Sequence, residues 1–328
     1  MNDQITSFQT VLDSLIAPGK DFPRKHLNLF SDIRPLELQT LMDVWERVNL
    51  SRKLSLLEGL ESLTKTDTLV SFDDFASAIL NDPEASVRKY AIRLLLECDD
   101  VKLVPSYLNL LKNDPDVKVR AEAANVLGLF MDLGELDEIP DDVHGEIRSV
   151  LLESANGEKE THVRRRALES LGWSSHPDVV TLVESAFEMN ENEWKASALT
   201  AMGRSANDRW EDRILRSLLE ENDLVRKAAV QSAGLVPLKS ARVPLLRMLE
   251  EEENDEIISA AIWSLSQIGG EDVDTYLEAM LAQTEDDALI DFLEEALDNL
   301  AFTEDLDRFD LLAVDPADLE DLETIDDE

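Results

Sequence analysis

The sequence predicts an all-α chain wound as a right-handed α-solenoid (superhelix) of about eight helix pairs. Three observations carry that prediction. The pattern of Asp116 to Gly128, DVKVRAEAANVLG, returns through two thirds of the chain with Val87, Val119, Val163, Trp194, Val225, Ile257 and Leu289 as its heads, at steps of 32, 44, 31, 31, 32 and 32 residues. A period near 32 marks stacked supersecondary units. Four residues after the heads stand Ala91, Ala123, Ala167, Ala198, Ala229, Ala261 and Leu293, and eight after them Leu95, Leu127, Leu171, Met202, Ala233, Leu265 and Leu297. That spacing makes one apolar helical face. Three residues before the heads stand Glu84, Asp116, Glu160, Glu191, Asn222, Asn254 and Asp286, polar groups suited to helix starts, where backbone N–H groups lack partners.

The elements follow in order. Gln4 to Ile16 place Ile5, Phe8, Leu12, Leu15 and Ile16 at helical spacing, and the breaker stretch APGKDFPRK ends that helix, so residues 1–30 read as an amphipathic helix and linker capping the first repeat. The repeat solenoid is expected over 31–302. Ser31 and Asp32 before Pro35 start a helix running to Val48, and a second helix from Arg52 to Leu63 completes an atypical first pair. Each later unit reads as a first helix and then a ladder helix. First helices are expected at Leu103–Leu111, Val143–Leu152, Val179–Phe187, Arg213–Leu219, Val243–Leu249 and Val273–Leu281, with Pro105, Pro177 and Pro244 near three of the starts, where a missing N–H costs least. Gly128, Gly172, Gly203 and Gly234, nine after their heads, end the ladder helix or pack it tightly. At the long step, FMDLGELDEIPDD adds residues that either project as an acidic protrusion, break the superhelix locally or insert passively. Residues 303–328, with 12 acidic side chains and one basic, read as an acidic tail without fixed position.

These motifs, quoted as DPDVKVRAEAANVLG, ETHVRRRALESLG and ENDLVRKAAVQSAG, resemble HEAT-type repeats over roughly Ser31 to Leu300. They are also similar to the HEAT-like repeats of bilin lyases and to those of bacterial HEAT-repeat proteins. The resemblance implies that the basic residue after each head, Arg88, Arg120, Arg164, Lys195 and Arg226, forms a structural ladder with acidic groups of neighbouring units. The position becomes Ile258 and Ile290 in the last two units, which depart from the pattern.

Charge narrows the function classes. The chain has 71 acidic and 31 basic side chains, a net of −40, and residues 251–328 hold 28 acidic residues against Arg308 alone. Such a surface repels phosphates, which excludes nucleic acid as an expected ligand and disfavours anionic membranes. The lone Cys98 fits a reducing compartment, and with neither a signal-like N-terminus nor a membrane-length apolar run the expected location is the cytoplasm.

No catalytic constellation stands out. The four histidines, His26, His144, His162 and His176, have no ligand spacing and lack the His-Glu dipeptides of deoxyhypusine hydroxylase, so neither metal nor cofactor is expected and each histidine reads as a surface or capping residue. Adenine-repair glycosylases built from HEAT-like helices need a basic groove, which the charge opposes. The expected function is therefore a non-enzymatic protein-binding scaffold or adaptor, using a concave groove and an acidic C-terminal surface. The partner expected is a protein with a basic surface. The resemblance leaves an alternative, a bilin-lyase-like enzyme or chromophore-binding accessory protein.

With the heads pointing to the core, residues three and six later face out along the groove. Those are Tyr90, Arg93, Glu122, Asn125, Arg166, Glu169, Ser197, Thr200, Gln231 and Trp263. A second candidate surface lies in two similar turns, GWSSHPD and GRSANDRWEDR, which bring Trp173, His176, Arg204, Arg209 and Trp210 into play. Tryptophan and arginine dominate interface hot spots. Trp45 and Trp194 are assigned to the core.

Overall fold

A computed structural model describes residues 8–17, 19 and 21–311. Among the described residues there are seventeen α-helices and no strand. They fall into two units, Met1–Leu182 and Val183–Glu328. The first holds α1 (Phe8–Ile16), a 3-10 helix at Arg24–Phe30, α2 (Pro35–Trp45), α3 (Leu50–Thr64), α4 (Asp73–Ala78), α5 (Ala85–Leu94), α6 (Val104–Asn113), α7 (Val117–Glu135), α8 (Asp141–Gly157) and α9 (Thr161–Leu171). α10 (Pro177–Phe187) carries the chain into the second. That unit continues with α11 (Asn192–Arg204), α12 (Glu211–Ser217), α13 (Asp223–Leu235), α14 (Arg242–Glu251), α15 (Asp255–Ile268), α16 (Glu271–Gln283) and α17 (Asp287–Leu311).

Each unit is a stack of helix pairs. Within the first, α3, α5, α7 and α9 pack side by side, and within the second α11, α13, α15 and α17 do the same; α4 covers α5, α6 covers α7, α8 covers α9, α12 covers α13, α14 covers α15 and α16 covers α17. The heads explain this order. Val87, Val119, Val163, Val225 and Ile257 are fully buried, as are the alanines four residues on, and a β-carbon with nothing beyond it lets neighbouring ladder helices approach closely. The last helix departs from the phase: Leu289 and Leu297 are half-buried, and Leu293, Ala296 and Leu300 form its inner face against α15 and α16.

The basic positions form an inter-repeat ladder. Arg88 reaches Asp114 at 2.7 Å, Arg120 reaches Glu158 at 3.4 Å, Lys195 reaches Glu220 at 2.6 Å and Arg226 reaches Glu252 at 2.7 Å. Each arginine of these pairs also donates to carbonyls of its own turn: Arg88 to Asp82 and Pro83, Arg120 to Asp114 and Pro115, Arg226 to Glu220 and Glu221. One guanidinium thus joins two successive turns, which its planar fork of donors allows. Arg164 donates to the Ala155 carbonyl at 3.0 Å.

Helix starts divide by side-chain length. Asp116, Asn222, Asn254 and Asp286 accept hydrogen bonds from amides two or three residues on. Glu84, Glu160 and Glu191 make no such bond, since the longer side chain does not fold back onto the first turn as Asp and Asn do. At two of these turns the ladder carboxylates take over, Asp82 accepting from the Glu84 amide and Glu158 from the Glu160 amide.

Three expectations change. The FMDLGELDEIPDD stretch makes no acidic protrusion: α7 runs through Glu135 and α8 begins at Asp141, so the added residues lengthen two packed helices, with Phe130, Met131 and Ile139 buried. α3 is a ladder helix in its own right, with Asn49 as its cap, Arg52 at the head position, Leu56 and Leu60 fully buried, and Lys53 paired with Asp82 at 2.8 Å. The Arg52 guanidinium donates to the Ala17 and Asp21 carbonyls, fastening the N-terminal segment to the first repeat. On that segment, Val11, Leu12 and Leu15 are buried, with α1 against α2 and the 3-10 helix. Finally, α17 continues past residue 302 to Leu311; the rest of the acidic tail lies outside the described residues.

Candidate functional site

In the second unit, residues ahead of the buried faces of α11, α13 and α15 line a depression of about 610 Å3. Its sides include Thr200, Arg204, Lys227, Gln231, Glu256 and Trp263. Thr200, Gln231 and Trp263 stand six residues after their heads, so three successive repeats present equivalent positions to one groove. Trp263 is half-buried, its ring 6.4 Å from that of Phe292 on α17 and tilted by 30°. Leu235 is 42% exposed and adds apolar surface beside it. Lys227 and Glu256 bridge neighbouring repeats at 2.7 Å across the rim. Sequence reasoning at three and six residues past the heads missed Leu235 and Gln267; both stand ten after a head, one turn further along the same face, as does Arg204.

In the first unit the equivalent strip alternates in charge. Arg93 pairs with Glu61 of α3, and Arg166 pairs with Glu169 of its own helix. Tyr90 lies under two cations, the Lys89 ammonium 5.3 Å and the Arg93 guanidinium 6.0 Å from its ring centre. Glu122 stands within the field of Arg93, Lys89 and Arg166, with Asn125 half-buried on the same helix. Burial holds the Glu122 carboxyl above the usual range, although the three cations pull it down. Glu169 and Ser197, expected on the open strip, are buried instead.

The two similar turns diverge. Trp210 belongs to the core, 2% exposed, with its indole N–H donating to Ser205 at 3.0 Å and the guanidinium groups of Arg209 and Arg213 at 5.5 and 5.3 Å from its ring. It is withdrawn from the surface because the 3-10 turn at Asp208–Trp210 folds it inward. Arg209 is exposed, and Trp173 is half-buried. His176 accepts from the Asp178 amide at 3.3 Å, placing it at the start of α10. Beside it, Glu135 of α7 accepts from both Ser174 and Ser175, which pins the first turn to the ladder. His26, expected at the surface, is 3% exposed beneath Phe22, with ring centres 6.2 Å apart, and burial lowers its pKa with help from Lys25. Among the described residues no group of three or more His, Cys, Asp or Glu is placed to hold a metal.

A family model described as HEAT repeats matches residues 73–141 and 211–298. Those two segments are HEAT repeats. The groove of α11, α13 and α15 draws most of its lining from the second matched segment, and the Arg88–Asp114 and Arg226–Glu252 rungs lie one in each. Among solved structures, the chain is similar to Escherichia coli YibA at 18% identity and a TM-score of 0.41, over 87% of this chain and 98% of that one. It is similar also to an engineered protein at 14% identity and a TM-score of 0.38, over 90% and 89%. Importin beta aligns at 11% identity and a TM-score of 0.44, over 89% of this chain and 46% of its own. No curated protein matches. No described helix is long and apolar enough to cross a membrane.

Proposed function

We propose that this HEAT-repeat chain is a non-enzymatic scaffold that docks a protein partner on the groove of α11, α13 and α15. The observation that carries the reading is the convergence of Arg204, Gln231 and Trp263, from three successive repeats, on one depression of about 610 Å3. A half-buried indole beside apolar Leu235, rimmed by an arginine and an amide, is the chemistry of an interface anchor: large area at low conformational cost, with directional polar groups around it. The acidic last repeats, rich in Asp and Glu beyond residue 251, supply a second surface that steers a basic partner by long-range attraction. The Tyr90, Arg93, Asn125 and Arg166 strip offers the first unit's equivalent face, with Trp173 and His176 as candidates for its margins, and Arg209 is a further candidate within the second unit.

The test is affinity capture from native lysate with the wild type, Trp263→Ala and Arg216→Ala. Arg216 is a control, since its pair with Asp212 is exposed at both ends. A stoichiometric protein retained by the wild type and the control but lost with Trp263→Ala supports the reading. Recovery of no stoichiometric protein, or equal recovery by all three, overturns it.

A further inference from the structure

We propose that residues 312–328 of this chain occupy the groove of α11, α13 and α15 when no partner is bound, so that the protein competes with its own ligand. The inference rests on the reading of that groove as a docking surface, and it names the chemistry the groove selects.

The groove asks for two things at once. Trp263 and Leu235 present apolar surface, and at its edges Arg204 and the Lys227–Glu256 pair together leave one positive charge. Its occupant should therefore carry aliphatic anchors interleaved with carboxylates. The stretch LAVDPADLEDLETIDDE at 312–328 has that composition, with Leu312, Val314, Leu319, Leu322 and Ile325 among eight acidic side chains and no basic one. At physiological ionic strength charges more than about 8 Å apart are largely screened, so repulsion from the chain's distant carboxylates is weakened more than contact with Arg204.

Position and length agree. Arg204, Leu235 and Gln267 mark the C-terminal ends of three parallel ladder helices. On α17 the matching level is set by Asn299, which donates to Ser266 of α15 at 2.9 Å. From there α17 runs on to Leu311, so the chain passes the groove's rim by roughly 18 Å at 1.5 Å per residue. Returning that distance and crossing three helix spacings of about 10 Å each requires roughly 50 Å. A segment of this length spans at most roughly 60 Å when extended, enough to come back to Arg204.

The experiment reads Trp263 without any partner, so its failure leaves the docking surface itself untouched. Acrylamide quenching is compared between the full chain and a chain ending after Leu311, each with and without Trp263→Phe, at about 0.15 M salt, where the Debye length is about 8 Å. The proposal expects truncation to expose Trp263, raising quenching in the wild-type background and not in Trp263→Phe. A synthetic peptide of residues 312–328 should restore protection to the truncated chain, and bind roughly tenfold more weakly to the truncated chain carrying Arg204→Glu. Where truncation disturbs folding, full chains with Leu319→Ser, Leu322→Ser and Ile325→Ser replace it and should show the same exposure. Unchanged quenching with no peptide binding overturns the proposal. Protection that grows with protein concentration overturns the intramolecular form, because the segment then comes from a second copy.

Discussion

Gly203 of α11 and Ser232 of α13 meet so closely that a β-carbon on Gly203 would stand 2.9 Å from the Ser232 Cα. The serine hydroxyl uses the contact, donating to the Leu199 and Ala228 carbonyls at 2.7 Å. The arrangement recurs where Gly128 meets Ser170 and Gly234 meets Ser264, and in both cases the serine lies close to a carbonyl of the preceding ladder helix. These glycines sit nine residues after their heads to let the next helix approach, and their helices run on past them.

Gly203→Ala should therefore cost about 1–3 kcal/mol, because the backbone of α13 rather than a flexible tip must give way. Gly145→Ala is the contrast. Nothing lies within 4 Å of a β-carbon there, inside α8, so the better helix former should stabilise by about 0.5–1 kcal/mol. Chemical denaturation of both variants reads the difference, and equal effects would refute the close approach.

The rungs of the ladder differ in burial, and their energetic weight should differ likewise. Arg88 and Asp114 are 8% and 7% exposed, and Asp114 accepts from both Arg88 Nε and Nη2. Arg88→Met should cost about 3–5 kcal/mol, since it strands a buried carboxylate. Arg216→Ala, removing an exposed pair, should stay within about 0.5 kcal/mol. Thermal or denaturant melts that rank the two variants the other way would show that the rung contributes little.

Much of this was legible from the pattern of residues alone. Heads, alanines and acidic or amide caps recur with a fixed spacing, and each is a local requirement of a helix packed on its neighbours. The sequence predicts the helix of α3, from Arg52 to Leu63, but not its place in the ladder, because its head is Arg52, whose charge masks the apolar period while its guanidinium serves the backbone of residues 17 and 21. The burial of Trp210 escaped for another reason: a short 3-10 turn sets its direction, and helical spacing does not describe turns. The groove was half visible, through Gln231 and Trp263; Leu235 lies one turn further along the same face, while Lys227, two after its head, joins it by the stagger between neighbouring helices, which one helix's period does not encode.

His144 gives the protein a pH response. Burial, the largest influence, and Arg148 lower its pKa from the ordinary 6.5, while Glu135, 3.5 Å away, pulls the other way. The folded state thus favours the neutral ring, and the unfolded chain binds the proton first. Stability from this group is present above the unfolded value of 6.5 and is lost as pH falls from there through the lower folded value. Melting temperatures between about pH 7 and pH 5 should fall more steeply for the wild type than for His144→Asn. The ladder carboxylates act lower: Asp82, raised by burial but brought down by Lys53, the Glu84 amide and Trp45, loses its contribution only as pH falls through the carboxylate range. Parallel slopes for the two proteins above pH 5 would remove His144 from the account.

Glu122 runs in the opposite sense, and it joins stability to binding. Its carboxyl is held above the usual range by burial, against the pull of Arg93, Lys89 and Arg166, so the folded state favours the protonated form. The associated stability is full below the unfolded value of 4.5 and is lost as pH rises through the folded one. At neutral pH the ionised carboxylate is therefore a burden on the fold. Arg93 and Arg166 are engaged with Glu61 and Glu169. Glu122→Gln keeps the shape and removes the charge. It should raise the melting temperature at pH 7 and leave it nearly unchanged near pH 4, where the wild-type group is itself neutral. If the first unit's strip takes part in docking, the same variant should capture less partner although it is more stable, a split that a purely structural role does not produce. A variant that melts lower at pH 7, or that gains stability equally at both pH values, would show that Glu122 is not the buried charge this account requires.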